Sequence, residues 1–168
     1  DGLVAEAPLT LKSKPSPQPL ALSLSEEILS WDEGFIEAIK LSKDNQLLAY
    51  TLEKLEVKEH SLHIKNLNSL KLYKVLSGLK DRIYPLAWSD KHTLVYQILS
   101  PANTKCEVWQ VDFSQPKLNN DHTKLFDCES TKMISADIAT ADNQLIYSKY
   151  GYRGKSHLSA LASRDLSS

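Results

Sequence analysis

A pattern of thirteen to fifteen residues that occurs three times limits this chain to a narrow set of folds. In Ile83-Tyr-Pro-Leu-Ala-Trp-Ser-Asp-Lys-His-Thr-Leu-Val-Tyr-Gln97 an alternating apolar strand (Ile83, Pro85, Ala87) enters a polar turn at Ser89 to His92, and a second apolar strand returns. That is the signature of a β-hairpin. Ile36-Glu-Ala-Ile-Lys-Leu-Ser-Lys-Asp-Asn-Gln-Leu-Leu-Ala-Tyr50 has the same form, and so does Ser135-Ala-Asp-Ile-Ala-Thr-Ala-Asp-Asn-Gln-Leu-Ile-Tyr147. Aligned on the closing tyrosine, 46 residues separate Tyr50 from Tyr96 and 51 separate Tyr96 from Tyr147. A period of that length belongs to an array of like units, none of which can cover both faces of its sheet alone.

Each period has room for four antiparallel strands. Repeat one (about 35–78) predicts strands at Phe35 to Leu41, Leu47 to Leu52, around Leu62, Ile64 and Leu67, and at Leu70 to Leu76. The charged segment Glu53 to Glu59 has fair helix formers, but it stands where repeats two and three have polar connections (Ser100 to Lys105, Tyr150 to Ser156), so an extended hairpin loop is expected. Repeat two (about 82–128) predicts Arg82 to Trp88, Thr93 to Leu99, Glu107 to Phe113 and Thr123 to Asp127. Repeat three (133–168) predicts Met133 to Ala139, Leu145 to Lys149 and a third strand within His157 to Leu166, with no fourth. Residues 1–19 carry four prolines and read as an extended tether; residues 20–168 form the array. Leu20 to Leu24 reads as a short strand and Ser25 to Ser30 as a helical turn or loop.

With 20 basic and 21 acidic residues the net charge is −1, and the two signs are interspersed, which argues against nucleic-acid binding by this chain. No apolar run reaches the length of a spanning helix, so any membrane attachment lies outside these residues. The start at Asp1 has neither an initiator Met nor a signal-peptide pattern, as in a chain cut from a longer protein. If Glu107 to Phe113 and Thr123 to Asp127 are antiparallel neighbours, Cys106 and Cys128 fall nearly opposite each other, since their midpoint, residue 117, lies in the connecting loop. They form either a bridge, which favours an oxidising compartment, or two partly buried thiols.

Ser42-Lys-Asp-Asn-Gln-Leu-Leu-Ala-Tyr50 resembles the Ser-Pro-Asp-Gly-x-x-Leu-Ala-Tyr core of TolB-type β-propeller repeats. His60-Ser-Leu-His-Ile-Lys-Asn-Leu67 and Glu107-Val-Trp-Gln-Val-Asp-Phe113 resemble the third strand of that family. Lys43 replaces the family's Pro and Asn45 its Gly, a tolerable exchange because Asn accepts positive φ. The resemblance implies an all-β, partial TolB-like β-propeller of about three antiparallel four-stranded blades, the last incomplete. Three blades do not close a ring, so a longer propeller, an open array and a half-ring completed by a second copy all stay open. A Pro-rich tether leading into such repeats is similar to the periplasmic sensor of membrane-anchored transcriptional regulators of the CadC/ToxR type. That resemblance implies a sensory or interaction domain in the periplasm. The alternative is the scaffold or substrate-filter propeller of a TolB-like translocation protein or a prolyl-oligopeptidase-type peptidase.

No Gly-x-Ser-x-Gly, Walker loop or His-Glu-x-x-His is present, so neither an enzyme nor a cofactor or metal is expected. His60 and His63, three apart on a strand, fall on opposite faces and make no metal pair. The five histidines and the acidic group Glu26, Glu27, Asp32 and Glu33 are titrating candidates for a sensor, or simply solvated loops. Trp88 and Trp109 read as packing. Trp31, before the first repeat, and Tyr150 and Tyr152, beside Gly151 and Gly154, are candidates for contact with a protein partner, a second copy in a homodimer, or a small ligand.

Overall fold

Eleven strands in three antiparallel sheets make up the computed structural model, which describes residues 34–102, 104–114, 121–128, 130, 134–139, 143–153 and 156–166. The first sheet is β1 (Phe35–Leu41), β2 (Leu47–Lys54), β3 (Glu59–Asn66) and β4 (Leu72–Leu79), paired in that order. The second is β5 (Arg82–Trp88), β6 (Thr93–Leu99), β7 (Cys106–Asp112) and β8 (His122–Asp127); the third is β9 (Ala136–Ala139), β10 (Gln144–Arg153) and β11 (Ser156–Asp165). Each sheet is a meander of consecutive strands, the arrangement of a propeller blade. The tether over residues 1–19, the strand at Leu20 to Leu24, the turn at Ser25 to Ser30, the acidic group and Trp31 lie outside the described residues.

Local chemistry sets the turns. In the first blade Ser42 Oγ accepts the amides of Gln46 (3.2 Å) and Leu47 (2.9 Å) and donates to Asp44 Oδ1 (2.8 Å), while Asn45 takes φ 59°. In the shorter turn of the second blade Asp90 Oδ1 accepts the amides of His92 and Thr93, both at 2.7 Å. Asn143, at φ 49°, plays the part of Asn45 in the third. Gly34, at φ +131°, enters β1 so close to the backbone that a Cβ would stand 2.6 Å from the carbonyl oxygen of Glu53.

Two cores lie between the three sheets. The first joins Leu47, Ala49, Leu62 and Ile64 of blade one to Ile83, Trp88, Leu94, Tyr96, Ile98, Val111 and Phe113 of blade two and its edge. The second joins Leu86, Val95, Leu99 and Val108 to Ile134, Ile138, Leu145 and Leu166. Blade two is therefore covered on both faces, which explains why β5 and β6 are buried at almost every position instead of alternately. Pro85 is accommodated because β5 is the edge strand of its sheet, with a bulge between Pro85 and Ala87.

Several connections differ from the sequence reading. Glu53 to Glu59 is not an extended loop: β2 continues through Lys54, β3 begins at Glu59, and Lys54 pairs with Glu59 across a four-residue turn. Backbone pairing runs on past the point where side chains leave the core. In β10 too the backbone pairing continues, through Arg153, where a polar connection from Tyr150 was expected. Leu67 and Leu70 fall in a turn, with Leu70 at φ 58°, so β4 starts later, at Leu72.

Candidate functional site

Polar residues inside otherwise apolar strands mark the seams between blades. Glu37 sits at a bulge in β1, between Ile36 and Ala38, where the extra residue re-aims its side chain. There its Oε2 accepts a hydrogen bond from His60 Nδ1 at 3.0 Å, with side chains only 15% and 6% exposed. The phenol of Tyr84 is pushed above its ordinary pKa, first by burial and then by the negative charge of Glu37. Nearby, Thr51 Oγ1 donates to the carbonyl of Ile83 (2.6 Å) and Trp88 Nε1 to that of Lys40 (3.2 Å), tying blade one to blade two.

Glu37, Ala38, Ile39 and Lys40 of β1, Pro85 of β5, and Ile134 to Ala136 leading into β9 enclose a recess of about 290 Å³. Its walls come from the first strand of each blade, the strands nearest a propeller's axis. They are apolar apart from Glu37, Lys40 and Ser135, so the recess suits a small apolar group carrying one polar or charged end. A second recess of about 190 Å³ opens at the turn end of the first seam, where Tyr73 and Phe113 meet edge to face at 5.9 Å beneath Asp44, Asn66 and Lys91.

The other seam is held by Gln97, which is fully buried in β6. Its Oε1 accepts the amide of Ile134 (3.0 Å) and its Nε2 lies 3.2 Å from Cys106 Sγ. Cys106 and Cys128 are joined in a disulfide with Cα atoms 5.0 Å apart, and the Cys128 amide donates to the Cys106 carbonyl at 2.8 Å. The pairs Glu107 with Asp127 and Val108 with Phe126 carry the ladder up to this bridge.

The histidines are dispersed. His63 is buried on the face of β3 opposite His60, stacked 5.2 Å from Tyr50, with Nε2 hydrogen-bonded to Ser61 Oγ at 2.9 Å and no partner for Nδ1 among the described residues. Burial, then Lys74 and Lys54, push it down to about 4. His122 shares a 2.7 Å hydrogen bond with Tyr96 Oη and is also pushed down by burial. Trp88 is core, and Trp109 packs at the edge of that core with Nε1 on Glu107 Oε2 (3.0 Å). Tyr150 and Tyr152 are placed by register alone, opposite Ser159 and His157. Sequence reasoning passed over Glu37 and Gln97, although a charged or amide residue inside an apolar strand is itself the signal. Among the described residues no group of three metal-ligating side chains forms, and no helix is long and apolar enough to cross a membrane.

No protein-family model matches the sequence, and no curated protein does. Solved structures do match: the crystal structure of TolB from Acinetobacter baumannii superposes with a TM-score of 0.60 at 17% identity, over 83% of this chain and 32% of that one. The chain thus spans about a third of that protein's length. At this identity the likeness is one of fold, and the fold is an all-β, TolB-like β-propeller in part: two four-stranded blades and a three-stranded one.

Proposed function

We propose that this chain is a non-catalytic sensory or interaction module, working in the periplasm as part of a bacterial membrane-anchored transcriptional regulator. The observation that carries the proposal is the axial recess, where the leading strands of three blades converge around Glu37, itself held by His60 at 3.0 Å. A group bound there touches all three sheets at once, so its binding energy can bias how the blades sit against one another. A second copy closing the open array acts on the same seams. The Pro-rich residues 1–19 would serve as the spacer between module and membrane.

The fold likeness to TolB over 83% of the chain supports a second reading, a scaffold propeller within a translocation protein or a peptidase. Two experiments separate them. In the gene, a transmembrane helix preceded by a basic winged helix upstream of Asp1 supports the regulator, whereas a cleavable signal peptide there assigns the scaffold. In a transcriptional reporter driven by the full-length protein, Ala136→Trp fills the recess and is expected to abolish the response to stimulus while protein level and fold stay unchanged. An unaltered response would remove the recess from the mechanism.

A further inference from the structure

The first blade has a face for which neither core accounts. In β2 and β3 the side chains of Leu47, Ala49, Leu62 and Ile64 turn towards blade two. By strand alternation and register, Leu48, Tyr50 and Leu52 of β2 share the opposite face with Ser61, His63 and Lys65 of β3. Tyr50, Leu52, Ser61 and His63 are nevertheless buried, Tyr50 completely, and Tyr50 and Leu52 belong to neither core. Ile39, Leu41 and Leu72 on the same face are exposed. This outer face is thus covered over one part and bare over another.

Gly34 shows from where a cover arrives. A Cβ built on it would stand 3.3 Å from Leu52 Cγ, so the backbone that leads into β1 lies against the buried part of the face. The fourteen residues before it, 20–33, can span roughly 46 Å, against about 26 Å for an eight-residue strand such as β2. Reach is therefore no obstacle.

The composition of that segment matches the face. Leu20, Leu22, Leu24, Ile28, Leu29 and Trp31 offer apolar surface, and Glu26, Glu27, Asp32 and Glu33 carry negative charge with no basic residue among them. The face itself holds Lys54, Lys65 and Lys74, and one carboxylate, Glu59, which Lys80 already meets at 3.3 Å. Lys74 and Lys54 both push the pKa of His63 down, so their positive field lies over the buried part. A second copy meeting this face with its own would set lysines against lysines. We infer that residues 20–33 dock on the outer face of blade one as a built-in cap, with their leucines over Tyr50 and Leu52 and their carboxylates towards Lys54 and Lys74. While the cap is in place no further sheet can stack there, and its release opens the face to one. This goes beyond the recess-based function and holds for either reading of the parent protein.

Hydroxyl-radical oxidation of the whole chain, read at Tyr50 and at Tyr96 of the first core, tests the cap. In wild type both tyrosines are expected to be protected at every protein concentration. Leu22→Asp/Leu24→Asp should raise oxidation of Tyr50 at least tenfold and leave Tyr96 unchanged. Lys54→Glu/Lys74→Glu should expose Tyr50 in the same way, and adding Glu26→Lys/Glu27→Lys to that variant should restore the protection. Wild-type protection of Tyr50 in the Leu22→Asp/Leu24→Asp variant, exposure of Tyr96 alongside Tyr50, no recovery in the charge exchange, or protection that fades on dilution would each overturn the inference, the last by giving the face to a second copy.

Discussion

Leu94 and Val95 are adjacent in β6, both 0% exposed, and belong to different cores. In a sheet with one solvated face, truncating one of two neighbouring residues is nearly free, because successive side chains point to opposite faces. In a stacked blade both truncations must be costly. Leu94→Ala removes three carbons from the first core, and with transfer and cavity terms its cost is about 3 kcal/mol; Val95→Ala removes two methyl groups from the second, worth about 0.8 kcal/mol each before the cavity term, or roughly 2 kcal/mol in all. Ile39→Ala, on β1 where the side chain is 60% exposed, is the control and should stay within about 0.5 kcal/mol. Urea denaturation followed by circular dichroism, and independently by the fluorescence of Trp88 and Trp109 in the first core, reads all three. Both core variants should lower the midpoint at unchanged slope. If either left the midpoint at the wild-type value, blade two would have a solvated face and the stacking of sheets would be refuted.

Three further outcomes follow from the same contacts. Replacing both Cys106 and Cys128 by Ala opens a crosslink with sequence separation 22, for which loop-closure entropy gives about 3 kcal/mol; reductant should cost wild type the same and the variant nothing, and alkylation of the unreduced protein at either cysteine would refute the bond. Gln97→Leu leaves the Ile134 amide without its 3.0 Å acceptor at a buried site and should cost about 1–3 kcal/mol, with faster hydrogen exchange at Ile134 as the local readout; unchanged exchange there would show that the seam does not depend on Gln97. His63, pushed down to about 4, costs the fold nothing above pH 6.5, the ordinary value of an imidazole, and stability declines as pH falls from there towards 4, because the unfolded chain takes up the proton first; the loss is at most about 3 kcal/mol. His63→Gln should flatten that part of the urea-midpoint profile, and an unchanged slope would exclude the assignment.

What could be read from the sequence divides along a physical line. The strands at Phe35–Leu41, Arg82–Trp88 and Thr93–Leu99 were legible to the residue, because apolar content and polar turns bound them on both sides. The ends of β2 and β10 were not. Lys54 and Arg153 look like loop residues by charge, yet backbone pairing with β3 and β11 carries both on as strand. The seams were harder still. Periodicity assigns a residue to a face but is silent about which sheet covers that face, so in a blade buried on both sides the polar residue among apolar ones carries the missing information. Gln97 stands within Leu94-Val-Tyr-Gln-Ile-Leu99 and Glu37 within Phe35-Ile-Glu-Ala-Ile39. Neither the buried Gln97 nor the partly buried Glu37 can stay without a partner, since an unsatisfied amide or carboxylate costs more than the contact it displaces. Each therefore has a partner on another strand or another blade: His60 of β3 for Glu37, and for Gln97 the Ile134 amide at the entrance to the third blade. Apolar surface makes the blades stack in any rotation that excludes water, and the polar contacts that cross between blades, Gln97 with the Ile134 amide, Thr51 with the Ile83 carbonyl and Trp88 with the Lys40 carbonyl, choose one, while Glu37 and His60 fix the first blade internally.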